Sequence, residues 1–107
     1  MAKVIWEDAA TIVLLEFIEN ARLEFGESTA KRWQKERNQI EWRLERYPTS
    51  YTPEQLLQGK ELLYRGCHLM SRRFKIIYYY DEGKDNAHIV DIWDTRLNPK
   101  VLIKRIK

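Results

Sequence analysis

Cysteine, histidine and clustered glycine are all scarce in this chain, and each shortage removes a class of chemistry. A lone cysteine, Cys67, can form neither an intramolecular disulfide nor a multi-cysteine metal site, and it points to a reducing compartment, the cytoplasm. Gly26, Gly59, Gly66 and Gly83 stand far apart, so there is no phosphate-cradling loop and no dinucleotide fingerprint, and no cofactor is expected. His68 and His88 lack the spacing of metal ligands, and no metal is expected either. No serine sits in a glycine-flanked elbow of the kind a hydrolase triad uses. Apolar runs are short: Ile12 to Leu15 is broken by charge well before a membrane span, and the first residues lack the basic-then-apolar order of a signal peptide.

What is present describes a single domain over residues 1–107, large enough to bury a core, with 44% hydrophobic and 33% charged residues. The net charge of +3 is unevenly spread. Residues 1–58 carry 8 basic and 10 acidic side chains, a net of −2, while residues 59–107 carry 11 and 6, a net of +5. Glu61, Asp81, Glu82 and Asp85 account for four of those six acids, and they lie in the presumed hairpin turn or at the start of this half. The sheet and tail are left more basic still, a footprint that suits a polyanion and also suits a merely solvated basic edge.

Residues 72–99 organise the rest. Phe74, Ile76, Tyr78 and Tyr80 alternate with Arg73, Lys75, Ile77 and Tyr79, the two-residue period of a strand with two distinct faces. A second strand follows, with Val90 and Ile92 assigned to one face and Ile89, Asp91 and Trp93 to the other. The intervening Asp81 to Asn86 supplies turn formers, with Gly83 and Asn86 able to take positive φ.

Upstream, Lys3 to Trp6 reads as a short strand and Glu7-Asp8 as a helix start. The stripe Ala10, Leu14, Phe17, Ile18, Ala21 and Phe25 then predicts a helix that stops at Gly26. Ser28 is placed to cap a second helix, whose buried stripe is Ala30, Trp33, Ile40 and Leu44, with Arg37 snorkelling from its edge. Thr52-Pro53-Glu54-Gln55 reads as a cap and a short helical turn ended by Gly59. Residues 61–70 are expected as a strand in which Gly66 marks a bulge or a close backbone approach. The tail Val101 to Ile106 is either an edge strand or a short helix. The order β-α-α-β-β-β predicts an α+β fold, an antiparallel sheet with the N-terminal two-helix hairpin packed on one face. The other face and the tail are then open to partners.

Arg65, Arg72, Arg73, Lys75 and Arg96 gather on the presumed sheet, with His68, Asp91 and Asp94 close by in sequence. Cations converging on one surface suit RNA or DNA phosphates. Metal-free RNA cleavage would use such cations to stabilise the pentacoordinate phosphate, and a general acid and base for the proton transfers. His68, Asp94, Glu61, Tyr64, Tyr78, Tyr79 and Tyr80 are the groups placed to act there, none singled out by spacing. The tyrosines read first of all as sheet packing, and His68 first as a partly buried strand histidine without a catalytic role.

Arg73 to Tyr78, a turn, and then Ile89 to Pro99, ending Asp-Thr-Arg-Leu-Asn-Pro, resemble the RelE/ParE toxin superfamily. The resemblance covers nearly the whole chain. It implies the toxin of a type II toxin–antitoxin (plasmid stabilisation) system, neutralised in a hetero-oligomer by an antitoxin whose helical or extended segment wraps the sheet surface or the C-terminal edge. RelE-like members cut mRNA in the ribosomal A site, and their motif implies catalytic roles for Lys75 and Arg96. They commonly carry a tyrosine or histidine shortly after that arginine, whereas residues 97–102 here contain neither. ParE-like members poison DNA gyrase and are not enzymes. A non-toxic relic or RNA-binding α+β domain of the same fold is the remaining alternative.

Overall fold

A computed structural model describes all 107 residues as three layers. In chain order the elements are β1 (Lys3–Trp6), α1 (Asp8–Phe25), α2 (Glu27–Arg46), a 3-10 turn (Gln55–Leu57), β2 (Tyr64–Leu69), β3 (Phe74–Asp81), β4 (Asn86–Asp94) and α3 (Pro99–Arg105). The sheet order is β1-β4-β3-β2, with β2, β3 and β4 antiparallel.

The fold is α+β with the helical hairpin on one face, as expected, but the sheet is mixed. β1 joins the edge of β4 in parallel, Lys3 beside Asn86 and Trp6 beside Ile89. A parallel neighbour needs a long crossover, and here nearly the whole chain between the two strands provides it. Sequence alternation reports which face a residue occupies, and it carries no information on strand direction.

The two helices meet at one residue. Gly26 ends α1 and precedes α2 with φ +95°, a conformation costly for any residue with a Cβ. Its N–H closes on the Arg22 carbonyl, and the Arg22 guanidinium reaches over the corner to Glu27. Ser28 therefore lies inside α2 and makes no cap.

Ala10, Leu14, Ile18 and Ala21 of α1 and Ala30, Trp33, Ile40 and Leu44 of α2 are buried against Phe74, Ile76, Tyr78, Ile89 and Ile92. Phe17 packs at the margin of this core, whereas Phe25, at the helix end, is more than half exposed. The Phe17, Trp33 and Phe74 rings form a mutual cluster with centroids 4.7–5.7 Å apart.

The second face of the sheet is also covered. α3 folds back across it, and Leu102 and Ile106 join Leu57, Tyr64, Ile77 and Trp93 in a separate core. The tail is thus a helix, capped by the Asn98 side chain with Pro99 in its first turn. The expected open face is closed at its centre because two apolar residues of the tail recur at helical spacing.

A β-bulge changes the parity of β4. Ile77 pairs with Asp91 but Tyr78 with Ile89, leaving Val90 as the extra residue. Ile89 consequently shares the helix-side core with Ile92, while Val90 turns toward Trp93 and α3. This corrects the simple alternation expected for the strand. In the β3–β4 turn it is Asp85, at φ +52°, that takes the left-handed conformation, and Asn86 already belongs to β4.

Candidate functional site

At one end of the sheet the register sets His68, Lys75 and Trp93 side by side across β2, β3 and β4, with Gly66, Ile77 and Asp91 forming the next row on the same face. Glu54, the residue before the 3-10 turn, reaches in beside Gly66, and its Oε2 accepts a 2.7 Å hydrogen bond from Lys75 Nζ. Both ends of this ion pair are largely withdrawn from solvent, Glu54 more than Lys75. A Cβ at position 66 would lie 2.8 Å from both the Glu54 carboxylate and the Lys75 chain, so this glycine permits a close approach and makes no bulge. Glu54 also accepts from the Leu56 N–H, so the cap of the turn is Glu54 and not Thr52.

One row further, the Arg105 guanidinium of α3 binds buried Asp91, whose other oxygen Oδ2 has no partner. Burial pushes the Asp91 carboxyl above its ordinary value, and Arg105 pulls it back only in part. His68, beside Lys75 in register, is exposed; partial burial, then Lys75 and Arg72, hold its imidazole below the ordinary 6.5. The thiol of Cys67, buried on the helix side, is pushed up to about 12 and is inert at neutral pH.

A depressed imidazole fixes the sign of one pH effect. The unfolded chain takes up a proton on His68 below 6.5 before the folded chain does, so this group's contribution to stability is full above 6.5 and is lost as pH falls through the folded value. Urea unfolding between pH 7.5 and pH 5 is expected to lose less stability in His68→Gln than in the wild type; superimposable pH profiles would contradict the assignment.

Arg96 lies on the other side of the sheet. Asp94 pairs with Phe74, on the helix face, and grips Arg96 with two side-chain bonds, Nε to Oδ1 at 3.2 Å and Nη2 to Oδ2 at 3.1 Å. This fork, above all, holds the Asp94 carboxyl below its ordinary value. Arg96 itself remains mostly exposed. The two residues that the resemblance pairs as catalytic, Lys75 and Arg96, are therefore on opposite faces of the sheet.

The other basic candidates divide in the same way. Arg65 donates to the Thr49 and Tyr51 carbonyls and pins the loop before the 3-10 turn. Arg72 is exposed on the β2–β3 turn, and Arg73 turns toward the helix side with its guanidinium 5.5 Å from the Phe74 ring. Tyr78 donates to the Pro48 carbonyl, while Tyr79 stacks on His88, which contacts Glu7 at 3.1 Å. These contacts make His88 a packed residue, not the plain surface its place near the turn suggests. No group of three or more His, Cys, Asp or Glu side chains converges as a metal site would require.

Over most of its length the backbone matches two solved structures. A chain of the chromosomal ParDE TA system from P. aeruginosa superimposes with a TM-score of 0.68 at 16% identity, over 88% of this chain and 96% of that one. The isolated E. coli RelE toxin gives 0.58 at 12% identity, over 98% of each chain. This chain has the RelE/ParE toxin fold. No family model and no curated protein matches the sequence, so the likeness lies in the backbone. Glu54 and Arg105 are the contacts at this candidate site that sequence reasoning passed over, and Asp91, noted only as lying near the basic cluster, proves to be buried there. Glu54 and Arg105 reach the sheet from a loop turn and from the tail, where no periodicity marks them. Asp91 alternates with apolar neighbours, and that pattern was a usable sign of burial.

Proposed function

We propose that this chain is the toxin of a type II toxin–antitoxin pair, and that it arrests growth in the cytoplasm by binding DNA gyrase, without cutting RNA. The observation that carries the reading is the separation of Lys75 from Arg96 by the sheet, with Lys75 closed off by Glu54. A nuclease needs its cations and proton carriers around one phosphate. The absence of a tyrosine or histidine in residues 97–102 supports the same choice. An antitoxin partner follows from the same reading, in a toxin–antitoxin hetero-oligomer.

A ribosome-dependent mRNA nuclease is the second reading, favoured by one specific feature. Glu54, Lys75 and His68 form a patch that holds a carboxylate, an ammonium and a neutral imidazole. Induced expression in a bacterial host separates the two. The expected result is growth arrest with an SOS response and trapped, cleaved DNA. Breaks in A-site mRNA without SOS induction would replace gyrase by the ribosome as target. Unaffected growth would sink both readings and leave a non-toxic RNA-binding domain.

A further inference from the structure

Where the helical hairpin corner overhangs the sheet end, a cleft of about 650 Å³ opens between α1, α2 and the β2–β3 turn. Phe17, Trp33 and Phe74 give it an aromatic wall, and Arg32, Arg73 and Arg96 line it with guanidiniums. Two carboxylates, Glu24 and Asp94, also face it. Arg73 Nε is enclosed and has no hydrogen-bond acceptor in the chain, an open donor of a kind that folded proteins rarely leave unmet.

The turn that carries Arg73 is held rigidly at a cost. Met70, Ser71 and Arg72 have φ of +54°, +57° and +68°, three consecutive left-handed residues with no glycine among them. Glu36 and Arg32 of α2 bind Met70 N–H and Ser71 Oγ, and Thr95 binds the Arg72 and Arg73 carbonyls. Two bonds from α2 and three from Thr95, its N–H included, thus stabilise a conformation the turn would not take alone, and they fix the position of Arg73 at the cleft.

We propose that this cleft seats an acidic side chain, flanked by apolar ones, on a peptide segment of the antitoxin; the inference rests on the toxin–antitoxin reading above. A guanidinium binds a carboxylate through paired N–H donors, and the ring wall suits the neighbouring apolar side chains. The charge balance selects the ligand class. Arg32 is paired with Glu36 and Arg96 with Asp94, which leaves Arg73 as the guanidinium with no carboxylate bound to it, a match for one incoming carboxylate and not for a phosphate dianion.

Titration of the full chain with a peptide of alternating glutamate and leucine, followed by NMR, tests the assignment. Saturable shifts of the Trp33 indole and the Arg73 Nε–H are expected, together with at least tenfold weaker binding in Arg73→Gln and in Arg96→Gln. Lys84→Gln, on the β3–β4 turn, serves as a control and should bind like the wild type. Arg96 is mostly exposed, so Arg96→Gln keeps the test open if Arg73→Gln fails to fold. The proposal is overturned if the peptide does not bind, if its glutamine version binds equally, if both arginine variants bind as the wild type does, or if only uridine monophosphate binds. A growth assay on the same proteins keeps the two ideas apart. Peptide binding by a chain that never arrests growth supports the cleft and defeats the toxin reading, whereas a toxic chain with an unresponsive cleft does the reverse.

Discussion

Lys75→Met is expected to lower the unfolding free energy by about 3 kcal/mol, because it strands the buried Glu54 carboxylate without its cation. The methionine keeps most of the apolar stem, so the loss reports charge and not packing. Combining it with Glu54→Gln should recover most of that stability, since removing both members of a buried pair is often close to neutral. Urea unfolding of the two single variants and the double variant measures the coupling directly. A Lys75→Met protein as stable as the wild type would show that the pair contributes nothing.

The same double variant bears on activity. Under the gyrase reading it stays toxic, because Lys75 is a structural cation. Under the nuclease reading it is folded and harmless, because both the cation and the carboxylate of the patch have gone.

Trp33→Ala carries the other large effect, a loss of about 3–5 kcal/mol. Trp33 is 2% exposed and lies against Phe17 and Phe74, with centroids at 5.7 and 4.8 Å, so its removal opens the seam between the helical hairpin and the sheet. Domains of this size are stable by only about 5–15 kcal/mol, so thermal unfolding should fall by more than about 12 °C. A shift of only a few degrees would mean that the neighbouring rings collapse into the space and that the seam is softer than its packing implies. That residue also walls the arginine-lined cleft, so a folded remnant of the variant should show weakened peptide binding as well.

The helical stripes were legible because each repeats a 3.6-residue period: Ala10, Leu14, Ile18 and Ala21, then Ala30, Trp33, Ile40 and Leu44, are all buried. Phe25 broke the pattern: it is the last residue of α1, against the Gly26 corner, and is 56% exposed. Strand β3 read correctly by parity, with Phe74, Ile76 and Tyr78 toward the helices and Ile77 and Tyr79 away from them. β4 did so only in part: Ile92 lies opposite Asp91 and Trp93 as assigned, but the bulge at Val90 exchanges the faces of Ile89 and Val90, and no glycine advertised it.

The candidate site was less legible for a different reason. Basic residues adjacent in sequence, such as Arg73 and Lys75, share one parity class and were expected on one face. The left-handed turn before β3 instead turns Arg73 into the helix-side cleft, while Lys75 stays on the opposite side with Glu54. Long-range partners made the rest: Glu54 meets Lys75 across 21 residues, and Arg32 meets Ser71 across 39. Neither pairing leaves a local trace.

The one-residue corner at Gly26 has a consequence for how such a chain can vary. Each residue of an α-helix turns about 100° around its axis, so with no slack at the corner the rotational phase of α2 is dictated by α1. Adding one residue there would swing Trp33 from the ring cluster toward water and bring a charged flank of α2 in its place. Loop length, elsewhere the most permissive property of a fold, is at this junction as constrained as the identity of a core side chain.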